Sequence, residues 1–161
     1  MAYRKEIGYI MKSKWLIGIA LLSLVSILFV ACASPTQPQV SNQWVWVERY
    51  CDEFQNNKHI SDTIEINAGD SLVVVLCSNP TTGFQWAEDA QISDISVLKQ
   101  ENHEYSGPES EPPPPPGTPG LESWRFQTLK PGTSTIYVEY SRPWEGGEKG
   151  EWTFTLEVTA K

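Results

Sequence analysis

Two cysteines and two histidines are the residues of this sequence best suited to catalytic or metal chemistry. Cys51 precedes a polar segment and Cys77 ends the Leu/Val-rich run at 71–77, while His59 and His103 have polar, loop-like neighbours. A nucleophilic cysteine needs an adjacent base, and a zinc site needs ligands in closely spaced pairs. Neither pattern surrounds these residues, and the acidic residues are scattered among turns. The sequence therefore predicts no catalytic residue, no metal site and no cofactor, with both histidines at the surface.

The same two cysteines are candidates for a disulfide. In an oxidising compartment, two cysteines left over in a small domain usually pair. A Cys51–Cys77 bond would tie an N-terminal segment to the base of the loop that follows Cys77, and loop-closure entropy gives it a stabilisation of about 3–4 kcal/mol. Spacing alone does not establish the bond, and two buried free thiols are the alternative.

Two loops carry residues suited to binding another protein. The NPTTGF loop (residues 79–84) consists of Asn79, Pro80, Thr81, Thr82, Gly83 and Phe84. The RPW loop (residues 141–147) has Arg142, Pro143 and Trp144 at its tip. Proline fixes φ and glycine permits φ > 0, so the NPTTGF loop is expected to be rigid. An exposed tryptophan either tucks under its loop or serves as a binding anchor. The alternative is two ordinary connecting loops.

Short alternating segments must position these loops. Apolar and β-branched residues alternate with polar ones in runs at 44–47, 63–66, 71–77, 123–129, 136–140 and 152–158, with turn residues between them. Such a pattern predicts an all-β sandwich or barrel. Only residues 88–100 leave room for a helical turn, and they suit a strand equally well. The six tryptophans after residue 43 are expected to fill much of the core.

The two loops, in this order and on this pattern, resemble the paired signatures of the chagasin family of cysteine peptidase inhibitors. The resemblance covers roughly residues 63–158. It implies an immunoglobulin-like antiparallel β-sandwich in a domain of residues 44–161, expected to be a monomer. It also implies reversible, non-covalent inhibition of papain-like cysteine peptidases, with Thr81 and Thr82 beside the enzyme's catalytic pair and Trp144 packed on its surface.

The family's third loop is usually glycine-rich, and here the sequence departs from it. The proline loop (residues 107–120) contains five consecutive prolines from Pro112 to Pro116, and Gly117 and Gly120 take the place of the usual glycines. Consecutive prolines favour a semi-rigid polyproline II arm. Such an arm is expected either to change the range of peptidases that fit or to be an inert insertion.

The first 43 residues predict export. A basic start followed by an uncharged apolar run at 15–31 is typical of a signal peptide (residues 1–31), and the run ends at Cys32, as in bacterial lipoproteins. Residues 32–43 are polar and contain two prolines, which is typical of a flexible tether. Lipidation of Cys32 would anchor the domain to the outer face of the cell membrane. Simple secretion after an Ala-Cys-Ala cleavage site, or an uncleaved membrane-spanning anchor, are the alternatives.

Charge restricts the possible partners. The net charge is −8 for the whole chain and +3 for residues 1–31, which leaves −11 for the rest. Nucleic acid binding needs clustered Lys and Arg, so it is not expected. The high tryptophan content and acidic surface keep one other function open: an exported β-sandwich for surface adhesion or carbohydrate binding. That function would require a face of exposed aromatic residues.

Overall fold

The computed structural model describes residues 42–108 and 112–161. In these ranges the chain forms nine strands, one short helix and a one-turn 3-10 helix at Pro80–Thr82. The strands are β1 (Trp44–Arg49), β2 (His59–Ile66), β3 (Ser71–Ser78), β4 (Gln85–Trp86), β5 (Gln91–Ile92), β6 (Leu98–Ser106), β7 (Gly120–Thr128), β8 (Gly132–Ser141) and β9 (Trp152–Ala160). The helix α1 spans Cys51–Asn56.

Two sheets form the layers of a sandwich. One has the order β1-β3-β7-β6, and the other has the order β2-β9-β8-β4, with β5 also paired to β8. The predicted immunoglobulin-like β-sandwich is confirmed. Most neighbouring strands are antiparallel, whereas the β1–β3 and β2–β9 pairs at the sheet edges are parallel. Neither parallel pair is joined by a hairpin. After β1, helix α1 carries the chain from an edge of one sheet to an edge of the other, where β2 begins, so β1 and β2 each pair with a strand that comes later in the chain.

Alternation along the strands generates the core. On β7, for example, Trp124 and Phe126 are fully buried, while Leu121 and Arg125 on the other face are exposed. Of the six tryptophans expected to fill much of the core, only three do so. Trp86 and Trp124 are buried and Trp152 is partly buried, but Trp44, Trp46 and Trp144 are about half exposed. The first two lie on the outer face of the edge strand β1, where no second layer covers them.

The pattern of alternation did not reveal three local features. Helix α1 is only six residues long and buries a single side chain, that of Phe54, so it has no helical period to detect. Strand β6 is a sheet edge with mostly polar, exposed residues. The ambiguous stretch at 88–100 contains the two-residue strand β5 and a turn in which the Val97 N–H donates to the Asp94 carbonyl over 3.2 Å.

The disulfide between Cys51 and Cys77 is confirmed. It joins the first residue of α1 to the penultimate residue of β3, with 5.2 Å between the two Cα atoms. The bond therefore fixes the N-terminus of α1 at the base of the NPTTGF loop.

His103 is not the surface histidine that was expected. Its Nε2 lies 2.9 Å from a carboxylate oxygen of Glu122, and its ring packs on Trp124 with 4.9 Å between centroids. The other carboxylate oxygen of Glu122 accepts a 2.5 Å hydrogen bond from Ser78 Oγ. His103 faces inward because β6 has a bulge between Gln100 and Asn102, and such an extra residue reverses the face of every residue that follows. His59 is exposed, as expected.

Residues 40–161 form a compact unit that contains every described strand, the core and the disulfide. A fragment that begins at Val40 therefore holds all the interactions on which the sandwich depends. The predicted signal peptide (1–31) and the lipidation site Cys32 lie outside the described residues, as does nearly all of the predicted tether. In the described part of the chain, no helix has the length and apolar character required to cross a bilayer.

The Ser78–Glu122–His103 network gives the first prediction. Glu122→Ala removes the acceptor shared by two buried or half-buried donors, so we expect the free energy of unfolding to fall by about 3 kcal/mol. Urea denaturation of residues 40–161 measures it. The matched control is Glu104→Ala at an exposed position of the adjacent strand, expected to change stability by less than about 0.5 kcal/mol. Equal losses in the two variants would contradict a role for the network.

Candidate functional site

The strand register brings the predicted binding loops to one end of the sandwich. Ser78 at the end of β3 pairs with Gly120 at the start of β7, and Ser106 at the end of β6 pairs with Leu121. In the other sheet, Gln85 pairs with Ser141. The NPTTGF loop, the proline loop and the RPW loop therefore emerge side by side. We call this end of the molecule the loop end.

The NPTTGF loop is closed by its own hydrogen bonds. Pro80 begins the 3-10 turn, and Gly83 ends it with φ of 81°, a left-handed conformation that glycine adopts without strain. The Asn79 carbonyl accepts from the Thr82 N–H over 3.1 Å and from Thr82 Oγ1 over 2.7 Å. The Thr81 hydroxyl donates to Asn79 Oδ1 over 2.6 Å. Pro80, Thr81 and Thr82 are exposed at the tip, so the loop presents a preformed, polar point.

Tyr140 supports this loop from below. Its hydroxyl oxygen accepts a 2.8 Å hydrogen bond from the backbone N–H of Asn79, which joins the first sheet to the second. Its ring, only 2% exposed, stacks on Phe84 at 5.6 Å and on Trp152 at 4.8 Å between centroids. Trp86 and Phe54 continue the aromatic packing beneath it. The loop end thus rests on four packed aromatic rings, which we call the aromatic floor: Phe54, Trp86, Tyr140 and Trp152.

The RPW loop is braced against the NPTTGF loop. Trp144 lies over Gly83, so close that a Cβ added to Gly83 would stand 2.9 Å from the indole Cη2. The Arg142 guanidinium lies 4.5 Å from the centroid of the Phe84 ring and 5.8 Å from that of Trp144. These are cation–π distances. Trp144 nevertheless keeps 52% of its surface exposed, and Pro143 beside it is also exposed.

The proline loop is docked on the NPTTGF loop through Gly117. The Gly117 carbonyl accepts a 2.7 Å hydrogen bond from Asn79 Nδ2. Pro115 and Thr118 close a turn around Gly117, which has φ of 85°. Gly120 lies elsewhere: it is buried at the start of β7, where a Cβ would stand 2.3 Å from the Ser106 carbonyl oxygen. Gly117 is therefore at the loop end, whereas Gly120 serves close strand packing below it.

Charged groups at the base of the RPW loop also hold it in place. Glu151 accepts a 2.6 Å hydrogen bond from Lys58 Nζ, and this bond holds the pKa of the Glu151 carboxyl below its usual range. The Arg142 backbone N–H donates to the Glu148 carbonyl over 2.8 Å, and the Gly150 N–H donates to Ser141 Oγ over 2.8 Å. Among the described residues, no group of three or more His, Cys, Asp or Glu side chains has a metal-binding arrangement.

The loop end is thus a rigid, mostly uncharged edge with a polar tip and one exposed aromatic ring. The structure brings together all the predicted loop residues except Gly120. Sequence reasoning missed the supporting residues Tyr140 and Phe54, and it missed the bracing contacts that Asn79 makes with Tyr140 and Gly117. Tyr140 had a weak signal, an inward position directly before the RPW loop, but nothing in the sequence pairs it with Asn79, 61 residues away.

Comparison with known proteins identifies relatives of this chain. Residues 65–158 match the chagasin family peptidase inhibitor I42. Amoebiasin-2 of Entamoeba histolytica is 31% identical over 103 residues, which cover 62% of this chain and 77% of that protein. Chagasin of Trypanosoma cruzi is 30% identical over 105 residues, covering 63% of this chain and 92% of chagasin.

Solved structures show the same fold. The cysteine protease inhibitor EhICP2 from Entamoeba histolytica superposes with a TM-score of 0.55 at 24% identity, over 75% of this chain and 99% of that one. PbICP-C, whose structure was determined in complex with falcipain-2, gives a TM-score of 0.50 at 17% identity, over 74% and 100% of the two chains.

The contact between Gly83 and Trp144 gives the second prediction. Gly83→Ala places a methyl group against the indole and in a left-handed conformation, so we expect a loss of about 2 kcal/mol in stability and a displaced Trp144. Gly146→Ala is the matched control, because Gly146 also has a positive φ of 72° but has open space around it. Urea denaturation measures the difference in stability, and the part of the tryptophan emission that is lost on Trp144→Phe in each background reports the environment of Trp144. Identical behaviour of the two variants would show that the two loops do not brace each other.

Proposed function

The chain belongs to the chagasin family of peptidase inhibitors, and on this premise we propose that its loop end blocks the active-site cleft of papain-like cysteine peptidases. As a member of that family the chain is a peptidase inhibitor and not an enzyme. A protein of the same fold was solved in complex with falcipain-2, which supports a peptidase as the partner. The observation that carries the proposal is the preformed NPTTGF tip.

The geometry of the tip suits a loop that occupies a peptidase cleft without being cleaved. Thr82 and Gly83 donate their N–H groups to carbonyls within the loop, so these groups are not free to pair with an enzyme in the extended form of a substrate. The loop is ordered by its own bonds, so it loses little conformational entropy when it binds. Thr81 and Thr82 then lie beside the catalytic cysteine and histidine of the enzyme, and inhibition is reversible and non-covalent.

The RPW loop acts as a second contact. Trp144 offers a half-exposed indole held on its inner side by Gly83 and Arg142. A rigid, pre-positioned aromatic ring is the kind of residue that dominates the energy of a protein interface. Arg142 has its guanidinium over Phe84, and its Nε is buried without a hydrogen-bond partner among the described residues. We therefore assign Arg142 a positioning role: its guanidinium contacts both the Phe84 and the Trp144 rings and keeps them close together.

The proline loop contributes a third contact and sets the range of targets. Pro115 and Pro116 are exposed next to Gly117, which is fixed to Asn79. Because the prolines are stiff, this arm accommodates only those peptidases whose surface beside the cleft leaves room for it. Gly120 lies too deep to contact the enzyme directly.

The third prediction concerns the contact residues. Trp144→Ala is expected to raise the inhibition constant for papain about 30-fold, the 2 kcal/mol expected of an aromatic anchor. Thr81→Ala with Thr82→Ala removes the hydroxyls that order the tip and is expected to weaken inhibition about tenfold. Titration of residues 40–161 against papain, with a serine peptidase as the negative control, measures both.

The matched control is Trp44→Ala. Trp44 is as exposed as Trp144, at 51% against 52%, but its Cα partner is Ser71, at the opposite end of the sheet from the loops. It is expected to leave the inhibition constant unchanged. Full inhibition by the Trp144 and Thr81/Thr82 variants would refute the assignment of these loops to the contact.

We also propose that the protein is an exported lipoprotein, anchored through Cys32 to the outer face of the cell membrane. The apolar run that ends at Cys32 supports this, as does the position of the first strand. Residue Trp44 begins β1 at the end of the sandwich opposite the loops. A tether that enters there leaves the loop end accessible to a peptidase.

The fourth prediction tests the anchor. Cys32→Ser removes the acylated thiol, so we expect the full chain to move from the membrane fraction to the soluble exported fraction and to lose palmitate labelling. Cys77→Ser is the control and is expected to remain membrane-bound and labelled. Equal labelling of the wild-type chain and the Cys32 variant would exclude lipidation at this residue.

A further inference from the structure

A row of aromatic residues follows the outer face of β1 from Trp44, at the end of the sandwich opposite the loops, to Tyr50 beside the base of the proline loop. Trp44 and Trp46 are 51% and 59% exposed, and Tyr50, which directly follows the strand, is 54% exposed. Trp44 and Trp46 are two residues apart, so their side chains point to the same face about 7 Å from each other. Outside the RPW loop, the other tryptophans of the described ranges, Trp86, Trp124 and Trp152, are buried or partly buried. Exposed aromatic rings in a row mark a binding surface.

Polar groups alternate with these rings. Glu48 stands between Trp46 and Tyr50 and accepts a 2.7 Å hydrogen bond from the Tyr50 hydroxyl. Arg125 belongs to the same cross-strand row as Trp46 and Val73, and its guanidinium lies 5.2 Å from the centroid of Trp44. Arg125 has no carboxylate partner in the described part of the chain. The surface therefore offers flat rings beside one charged acceptor and one charged donor.

We propose that this outer face binds an uncharged, hydroxyl-rich glycan chain. A sugar ring has an apolar C–H face that can lie on an indole, and hydroxyls at its rim that both accept and donate hydrogen bonds. Those hydroxyls match Glu48 and Arg125, which would otherwise lose water without compensation. The sheet surface is extended, as a polymer requires.

The two other candidate occupants fit less well. A lipid surface would bury the Glu48 carboxylate against apolar chains, and the −11 charge of the chain after residue 31 opposes anionic headgroups. A second copy of the chain would bring two acidic domains together, because the chain after residue 31 carries a charge of −11. An uncharged glycan avoids this repulsion and can use the rings, Glu48 and Arg125 together.

Binding to insoluble cellulose and chitin, and calorimetric titration with soluble cello-oligosaccharides and N-acetylglucosamine oligomers, test the proposal on residues 40–161. We expect the wild type to bind at least one of these glycans. Trp46→Ala is expected to weaken that binding about tenfold, and the Trp44→Ala/Trp46→Ala pair to abolish it. Trp144→Ala is the matched control and should bind the glycan like the wild type.

The variants also separate this surface from the inhibitory one. The Trp44/Trp46 pair is expected to inhibit papain normally and to keep the wild-type unfolding midpoint, so that lost glycan binding is not lost folding. No binding to any glycan of the panel would overturn the proposal, and so would binding that survives the double substitution. Adsorption to phosphatidylcholine vesicles in place of glycans, or a dimer in sedimentation that Trp46→Ala dissociates, would assign the face to lipid or to a second copy instead.

Discussion

The hydrogen bond between the Asn79 N–H and the Tyr140 hydroxyl connects the two sheets at the point where the NPTTGF loop begins. Tyr140 is almost fully buried, and its ring is packed between Phe84 and Trp152. The position of the loop is therefore set by a buried side chain with an aromatic ring stacked on either side. Through Phe84 the same packing reaches Arg142 and through it Trp144, so one buried tyrosine determines the relative position of both loops.

Strand alternation was sufficient to predict most of this fold. The runs around Trp124, Ile136 and Phe154 have one buried face and one solvated face, and they correspond to β7, β8 and β9. Prediction failed where a segment buries too few residues to show a period. Helix α1 depends on Phe54 alone, and β6 is a polar sheet edge. Both are stabilised by tertiary packing, which no local pattern encodes.

In the candidate site, too, locally determined features were predictable from the sequence and tertiary contacts were not. The tip residues were predictable because proline, glycine and exposed tryptophan act through local backbone geometry or solvent exposure. Their supports were not, because Asn79 with Gly117 and Gly83 with Trp144 are contacts between segments far apart in the chain. Gly120 illustrates the converse: the family resemblance suggested that it lies at a loop tip, but the close approach of the Ser106 carbonyl explains why glycine is needed there.

The packing of α1 bears on the chemical conditions in which the loop end keeps its shape. A cysteine peptidase is active only while its own thiol is reduced, and the thiols that maintain that state also exchange with disulfides. The Cys51–Cys77 bond lies directly beneath the NPTTGF loop. Phe54, however, is fully buried against Trp86 and Trp152, so α1 has an attachment to the aromatic floor that does not depend on sulfur. Reduction of the disulfide would therefore leave this contact between α1 and the aromatic residues in place.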